Sequence, residues 1–144
     1  MTERQRVLKL QTVLFRAFKT IEGRTRIDID SYGLNPSEFG TLDYLYHKGE
    51  QPIQRIGERM LLANSSMTYV IDKLERRDMV KRIASAQDRR VTYIDLTEEG
   101  RSFFRTVFQD HVRMLKKLYG VLEAEEQSAL IELLKRIGRP DRDR

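Results

Sequence analysis

Apolar residues recur every three or four positions along most of this chain, which is the pattern of amphipathic helices. The first such segment predicts a helix over residues 3 to 22, with an apolar stripe of Val7, Leu10, Leu14, Ala17 and Ile21 that Phe15 and Phe18 widen. Further helices are predicted over residues 35–49, 52–60, 65–77, 98–120 and 125–137. Between residues 23 and 32 the letters TRIDID alternate like a short strand but equally fit a fraying helix end, so both interpretations stay open.

Two of these helices carry clear start signals. Asn35-Pro36-Ser37-Glu38 offers an N-cap side chain, proline at the first helical position and glutamate at the third. That helix is predicted to stop near Gly49. Thr97 is predicted to cap the long helix that follows it, with two glutamates favourably placed in the first turn.

A different pattern separates the fourth helix from the long one. Residues 80–84 and 91–96 alternate apolar and polar side chains about a polar tip over residues 85–90, which predicts a β-hairpin. The predicted fold class is therefore mainly α with a small β-hairpin wing. Three short helices followed by a hairpin is the order of a winged helix-turn-helix, in which the second helix of the pair lies in the DNA major groove.

Length and composition narrow the function classes. The chain has 144 residues, enough for one domain of ordinary size, and contains no cysteine, which excludes disulfides, thiolate metal sites and cysteine nucleophiles. No stretch approaches the roughly 20 apolar residues needed to cross a bilayer, and the N-terminus lacks a signal-peptide core. We therefore expect a cytoplasmic protein without a membrane partner.

The charge is placed where a DNA-binding surface needs it. The net charge is +5, and the segment from Lys73 to Arg90 alone holds seven basic and three acidic residues. Phosphate neutralisation by such residues supplies much of the affinity for DNA. The predicted DNA contacts on the second helix are short polar side chains, one aromatic and two basic ones: Asn64, Ser65, Ser66, Thr68, Tyr69, Lys73 and Arg76. The alternative is that Ser65 and Ser66 only cap the helix and that the basic side chains form an ordinary solvated face.

The hairpin tip completes the predicted DNA interface with Asp88, Arg89 and Arg90. An arginine at a wing tip can enter the minor groove, where narrow A·T-rich stretches concentrate negative potential. A nearby aspartate can orient its guanidinium through a bidentate pair. The alternative interpretation is a turn made of common surface residues.

Three stretches together resemble the MarR (multiple antibiotic resistance regulator) family of transcriptional regulators: LNPSEF, SSMTYVIDKLERRDMVKR and DRRVTYIDLTEEG. The last matches the family's wing pattern at Asp88, Arg90, Leu96, Thr97 and Gly100. One position departs from it, because Asp78 stands where the family usually has a glycine in a left-handed turn. The resemblance covers residues 34 to 104 well, and a longer run is similar to the subgroup that responds to catechols and hydroquinones.

The resemblance implies a homodimer that binds a pseudo-palindromic double-stranded operator and acts as a repressor released by a small phenolic ligand. It divides the chain into an N-terminal dimerisation helix over residues 1–34, a winged helix-turn-helix over residues 35–98 and C-terminal dimerisation helices over residues 99–144. Arg90 would be the minor-groove arginine and Asp88 its orienting partner. The apolar stripes of the terminal helices agree, because one winged domain cannot cover them; the alternative is that they pack on their own winged domain in a monomer.

The aromatic effector would occupy a crevice between the dimer helices and the winged domain. The side chains predicted to line it are Phe15, Arg16, Tyr32, Phe39, Asp43 and His47. Phe39, Asp43 and His47 follow one another at spacings of four and so share a helix face. The alternative is that these are core aromatics and a hydrogen-bonded surface histidine.

The remaining function classes have little support in the sequence. The only histidines, His47 and His111, stand beside no paired-carboxylate motif, so no metal site is expected. The chain has no glycine-rich phosphate loop and no nucleophile beside its His47–Asp43 pair, so neither an enzyme nor a cofactor is expected. A winged-helix module that binds another protein and never touches DNA remains the alternative function.

Overall fold

The computed structural model of the protein describes residues 1–139 and contains, within that range, six α-helices and three short β-strands. The helices are α1 (Glu3–Ser31), α2 (Pro36–Lys48), α3 (Ile53–Met60), α4 (Asn64–Arg76), α5 (Glu98–Tyr119) and α6 (Ala124–Ile137). The strands are β1 (Gln51–Pro52), β2 (Val80–Ala84) and β3 (Thr92–Leu96). The predicted mainly α fold with a hairpin wing is confirmed. The described part of the chain contains no helix long and apolar enough to span a bilayer.

Helix α1 is longer than the sequence predicts, because the ambiguous stretch after residue 22 continues the helix to Ser31. A strand would place Ile27 and Ile29 on the same face. In the helix they point to different sides, so Ile29 is buried whereas Ile27 is 72% exposed. The helix stops at Tyr32, whose backbone N–H donates to the carbonyl of Ile29, 3.1 Å away.

Helix α2 begins with the predicted capping box. The Asn35 side chain accepts a hydrogen bond from the backbone N–H of Glu38 at 2.8 Å, and the Glu38 carboxylate accepts one from the backbone N–H of Asn35 at 2.9 Å. Leu42 and Leu45, on the inner face of this helix, are completely buried. The helix ends before Gly49, whose φ of 77° suits glycine.

Helices α3 and α4 form the helix-turn-helix, with Met67, Ile71 and Leu74 of α4 completely buried. Helix α4 begins one residue earlier than predicted, and its N-cap is Ala63, which offers no side-chain hydrogen bond. Ser65 and Ser66 therefore lie inside the helix. The interpretation of these two serines as capping residues is wrong.

The predicted hairpin is present, but a third strand that the sequence does not predict pairs with it. Strand β3 lies between β1 and β2 in an antiparallel sheet, with Gln51 opposite Ile94 and Val80 opposite Leu96. A strand of two residues is too short to show an alternating pattern, so β1 has no sequence signal.

The base of the hairpin is fastened to the start of α5. Thr97 caps this helix by accepting the backbone N–H of Gly100 at 2.9 Å, and its hydroxyl donates to the carbonyl of Asp78. Asp78 has a φ of 58°, so it takes the left-handed conformation at the position where the family usually has glycine. A Cβ on Gly100 would stand 1.9 Å from the carbonyl oxygen of Met79, which explains why the wing pattern ends in glycine.

The core of the winged region lies between α2, α4, the sheet and the first half of α5. Phe104 of α5 is completely buried and meets the ring of Phe39 edge-on, with 5.4 Å between the ring centroids. Burying a side chain of this size contributes about 1.5–3 kcal/mol to folding. This core gives α4 and the wing a rigid support.

The described chain divides into two compact units, and the boundary after His111 falls inside α5. In the second unit the Gln127 side-chain amide donates to the carbonyls of Tyr119 and Leu122, at 3.0 and 3.2 Å, and so closes the turn before α6. The apolar stripe of α6 is exposed along its length, at Leu130, Ile131, Leu133, Leu134 and Ile137. The sequence also predicts a frayed tail over residues 138–144, of which residues 140–144 lie outside the described residues.

Candidate nucleic-acid interface

The outer face of α4 carries the predicted DNA contacts. Because Met67, Val70, Ile71 and Leu74 occupy the buried face, the helix turns its polar side chains outward. All but one of the predicted contact residues on this helix are exposed, and Lys73 is half-buried: Asn64, Ser65, Ser66, Thr68, Tyr69, Lys73 and Arg76. The structure thus brings the whole predicted set onto one accessible surface.

Two contacts within this face restrain the Thr68 hydroxyl and the Tyr69 ring. The Thr68 hydroxyl donates to the carbonyl of Asn64 at 2.9 Å, so its lone pairs remain free to accept from a base or a water. The ammonium of Lys73 lies 5.5 Å from the centroid of the Tyr69 ring, within the range of a cation–π contact. Tyr69 is 61% exposed, so the Lys73 contact restrains the ring while leaving it accessible.

The tip of the wing is ordered by short-range hydrogen bonds. The Ser85 hydroxyl accepts the backbone N–H groups of Gln87 and Asp88, at 3.3 and 3.2 Å. The carbonyl of Asp88 then accepts the N–H of Val91 at 3.1 Å. These bonds shape the turn without help from the core.

The predicted Asp88–Arg90 pair is present in bidentate geometry. The guanidinium of Arg90 donates through Nε to Oδ1 of Asp88 at 3.2 Å and through a terminal nitrogen to Oδ2 at 3.4 Å. The Arg90 backbone N–H also donates to Oδ1 at 3.0 Å. This backbone hydrogen bond, together with the guanidinium, lowers the pKa of Asp88 below its ordinary value of 3.8. The Arg90 side chain is 91% exposed, while the neighbouring Arg89 is exposed and takes no part in the pair.

An ion-pair clamp joins the wing to α4, and the sequence analysis missed it. Arg82 of β2 donates to Asp72 at 2.5 Å and to Glu75 at 2.7 Å, both on α4. Arg77 likewise donates to the carbonyl of Gly33 at 3.0 Å and lies 3.7 Å from Glu38. Besides Arg90, two of the seven basic residues counted in this segment, Arg77 and Arg82, therefore have structural partners, and the count overstates the charge available to DNA.

The predicted effector residues do not form one site within a single chain. Arg16 is separated from Tyr32 by about 24 Å of helix axis, at 1.5 Å per residue. Phe15 is 58% exposed and lies with Phe18 and Lys19 along an open groove on α1. A crevice lined by all six side chains would therefore need more than one chain.

Tyr32 and Phe39 each contact one member of a pair of residues that the sequence analysis did not single out, Asp28 and His111. The Tyr32 hydroxyl donates to Oδ1 of Asp28 at 2.7 Å, and Oδ2 of Asp28 lies 2.8 Å from Nδ1 of His111. The side chains of His111 and Asp28 are only 12% and 10% exposed, and the imidazole lies against the Phe39 ring with 4.8 Å between centroids. Asp28 and His111 are 83 residues apart, so local sequence patterns carry no sign of this pair.

Asp43 and His47 form a second, more exposed pair on α2. Nδ1 of His47 lies 3.1 Å from the Asp43 carboxylate and 2.9 Å from its backbone carbonyl. The ring packs edge-on against Phe108 with 4.6 Å between centroids. Within residues 1–139, no three carboxylate or imidazole side chains lie close enough together to hold a metal ion.

Comparison with known proteins places this architecture. The sequence profile of the MarR family matches residues 34–92. The transcriptional regulator MhqR of Bacillus subtilis is 46% identical over 138 residues, which cover 96% of this chain and 94% of that protein.

Two solved structures have the same fold at lower identity. A mutant of Escherichia coli MarR complexed with operator DNA superposes with a TM-score of 0.77 at 16% identity, covering 96% of this chain and all of that one. Bordetella bronchiseptica BpsR, whose DNA binding is regulated by 6-hydroxynicotinic acid, gives 0.75 at 20% identity, covering 91% and 99%. At these identities the likeness establishes the fold alone. The family profile and the 46% identical relative go further: the chain belongs to the MarR family of DNA-binding helix-turn-helix transcriptional regulators.

Proposed function

We propose that the protein is a homodimeric, cytoplasmic repressor that binds a pseudo-palindromic operator and is released from it by a small aromatic ligand. Family membership supports DNA binding and gives no support to a winged-helix module that binds only proteins. The observation that carries the proposal is the exposed wing-tip arginine, which its neighbouring aspartate holds in a fixed orientation. An arginine presented in this way suits a narrow minor groove.

In this proposal α4 reads the major groove and the wing reads the minor groove. The polar side chains of the first turn of α4, Asn64, Ser65, Ser66 and Thr68, contact base edges and phosphates. Lys73, Arg76 and Arg89 neutralise phosphates. Arg90 enters the minor groove, and Asp88 orients it.

The homodimer rests on exposed apolar surface at both ends of the chain. On α1 the exposed large apolar side chains are Val7, Leu8, Leu10, Val13, Phe15, Phe18 and Ile27. The stripe on α6 is exposed in the same way. A second copy of the chain would bury both. Phe18→Glu should shift the protein toward monomers in analytical ultracentrifugation at micromolar concentration, whereas Phe18→Leu should leave it dimeric.

The DNA contacts are tested by fluorescence anisotropy with an operator duplex obtained from a random library by selection with the parent protein. Arg90→Ala should weaken operator binding about 10-fold, as expected when a specific groove contact is lost. Arg105→Ala removes the same charge from an exposed position on α5 outside this surface and serves as the matched control. Parent affinity should also fall steeply with salt. Equal affinities for Arg90→Ala and Arg105→Ala would contradict the wing assignment.

The effector would bind where the chain combines aromatic walls with buried polar groups. The largely buried Asp28–His111 pair, with Tyr32 beside it and Phe39 against the imidazole, offers acceptors and donors for a phenolic hydroxyl. The Asp43–His47 pair offers similar chemistry in a more exposed place. Phe15 and Arg16 would contribute only from the α1 of a second chain.

An operator-release assay distinguishes between the two pairs as the effector site, with catechol, hydroquinone and 6-hydroxynicotinic acid as probes. His111→Gln should raise the concentration needed for release while leaving operator binding of the free protein unchanged. His47→Gln is the matched variant at the exposed pair. If His47→Gln alone changes release, the effector belongs at the Asp43–His47 pair instead.

A further inference from the structure

Leu61 ends α3 in the left-handed conformation of a helix C-cap, where its N–H donates to the carbonyl of Glu58 at 3.2 Å and that of Leu62 to Gly57 at 2.9 Å, but a glycine would make this turn without strain. Its backbone is left-handed, with φ 57° and ψ 40°, a region in which the Cβ of an ordinary residue crowds the following carbonyl. Its side chain is 91% exposed, so the strain is not offset by apolar burial. The helix end explains the backbone conformation but not the leucine side chain, and strained residues of this kind tend to mark functional surfaces.

The side chain of Leu61 borders the same surface as the start of α4. It lines a shallow depression together with Gln54, Glu58, Leu62 and Asn64, and Asn64 is the first residue of the helix assigned to the major groove. Asn64 follows Leu61 by only three residues, so the depression adjoins the first turn of α4. The depression therefore extends the surface of the proposed DNA interface.

We infer that Leu61 is a DNA-contacting residue whose apolar side chain packs against the 5-methyl group of a thymine in the operator. The inference rests on the proposed function and adds a specificity-determining contact to it. An isobutyl group cannot hydrogen-bond a phosphate, and the neighbouring Glu58 carboxylate repels one. The thymine methyl is the apolar group that the major groove presents.

Two variants separate this contact from a structural role. Leu61→Gly removes both the strain and the apolar group, so the melting temperature should rise by about 2–4 °C while operator affinity falls about 3- to 10-fold. Leu61→Ala keeps a Cβ in the strained region, so affinity should fall by a similar factor without a rise in melting temperature. A side chain with only a structural role would move stability and affinity in the same direction.

Within residues 1–139, Asp78 is the other residue besides Leu61 that has a left-handed backbone without being glycine. The matched control is Asp78→Gly. It relieves the same kind of strain away from the depression, so its melting temperature should rise without any loss of operator affinity. A loss of affinity equal to that of Leu61→Gly would mean that relaxing the backbone weakens binding, and would overturn the inference.

The decisive experiment replaces each thymine of the selected operator in turn by uracil, which lacks only the 5-methyl group, and measures binding by anisotropy. At one symmetric pair of positions the parent should lose about 3- to 10-fold in affinity, whereas Leu61→Ala should lose nothing there. If parent and Leu61→Ala show the same losses at every position, the inference is overturned while the proposed function stands. If the parent selects no duplex at all, the proposed function and the inference fall together.

Discussion

The wing is held in two different ways at its two ends. At its base, buried Gly100 packs directly on the backbone of Met79, and the Thr97 hydroxyl donates to the carbonyl of Asp78, so the segment after α4, the hairpin and α5 meet in one joint. At its tip, short-range hydrogen bonds within residues 85–91 hold the turn, and Arg90 points into solvent.

This difference separates the stability of the wing from its role in DNA recognition, two properties that usually change together on mutation. Contacts at the base link distant segments of the chain and are part of the core, so they govern the free energy of unfolding. Contacts at the tip are local and exposed, so they contribute little to stability. They fix the direction of the Arg90 side chain, for which the proposed partner is DNA. We expect mutations along the wing to pass from effects on stability to effects on DNA recognition.

The largest effect is expected from Gly100→Ala at the base. The added methyl group would lie 1.9 Å from the Met79 carbonyl oxygen, and backbone on both sides would have to move. Overpacking against backbone should cost about 3 kcal/mol, measurable by urea unfolding. Gly23→Ala is the matched control: the space around its Cβ is open, so removing a helical glycine should stabilise the protein by about 0.5–1 kcal/mol. Equal unfolding midpoints for the two variants would contradict the assignment of the joint.

A smaller effect is expected at the middle of the wing from Arg82→Ala. Removing this arginine leaves the carboxylates of Asp72 and Glu75 without their shared partner, which should cost about 1–2 kcal/mol in thermal or urea unfolding. Arg101→Ala provides the comparison, because its guanidinium lies 3.9 Å from Asp95 and is more exposed. That variant should stay within about 0.5 kcal/mol of the parent. If Arg82→Ala lowers the free energy of unfolding no more than Arg101→Ala does, the Arg82 clamp does not couple α4 to the wing.

The same contrast explains how much the sequence could predict. The capping box of α2 and the hairpin are local in sequence, and each is confirmed. Among the local features, the left-handed Asp78 was anticipated from the family's glycine at that position. The MarR resemblance followed from local motifs, and the exposed polar face of α4 followed from helical periodicity.

Contacts between distant segments were not predictable in this way. The Arg82 clamp and the Asp28–His111 pair join groups on different elements, and neither leaves a periodic signal. The charge count included Arg82 as available to DNA, although Asp72 and Glu75 of α4 neutralise it. The continuation of α1 beyond residue 22 was ambiguous because TRIDID satisfies a strand pattern, and only the burial of Ile29 without Ile27 decides for the helix.

At the tip, Asp88→Asn should change recognition without changing stability. The substitution removes a negative charge that repels DNA, so affinity for any duplex should rise, but Arg90 loses its oriented ion pair. The ratio of operator affinity to random-duplex affinity should therefore fall about 3- to 10-fold. Glu98→Gln removes an equal charge at the base of the wing and should leave that ratio unchanged. An unchanged ratio in Asp88→Asn would show that the tip needs no orienting carboxylate.

The smallest effect is expected from pH. Hydrogen bonds from Arg90 lower the pKa of Asp88 below its ordinary value of 3.8. The carboxylate therefore keeps its charge as the pH falls to 3.8, and the ion pair is lost only below that pH. Between pH 8 and pH 5 the carboxylate stays charged and the tip keeps its geometry. The operator-to-random affinity ratio of the parent, divided by that of Asp88→Asn, should therefore be constant over this range at fixed ionic strength. A steady decline toward pH 5 would mean that a different titrating group sets the orientation of Arg90.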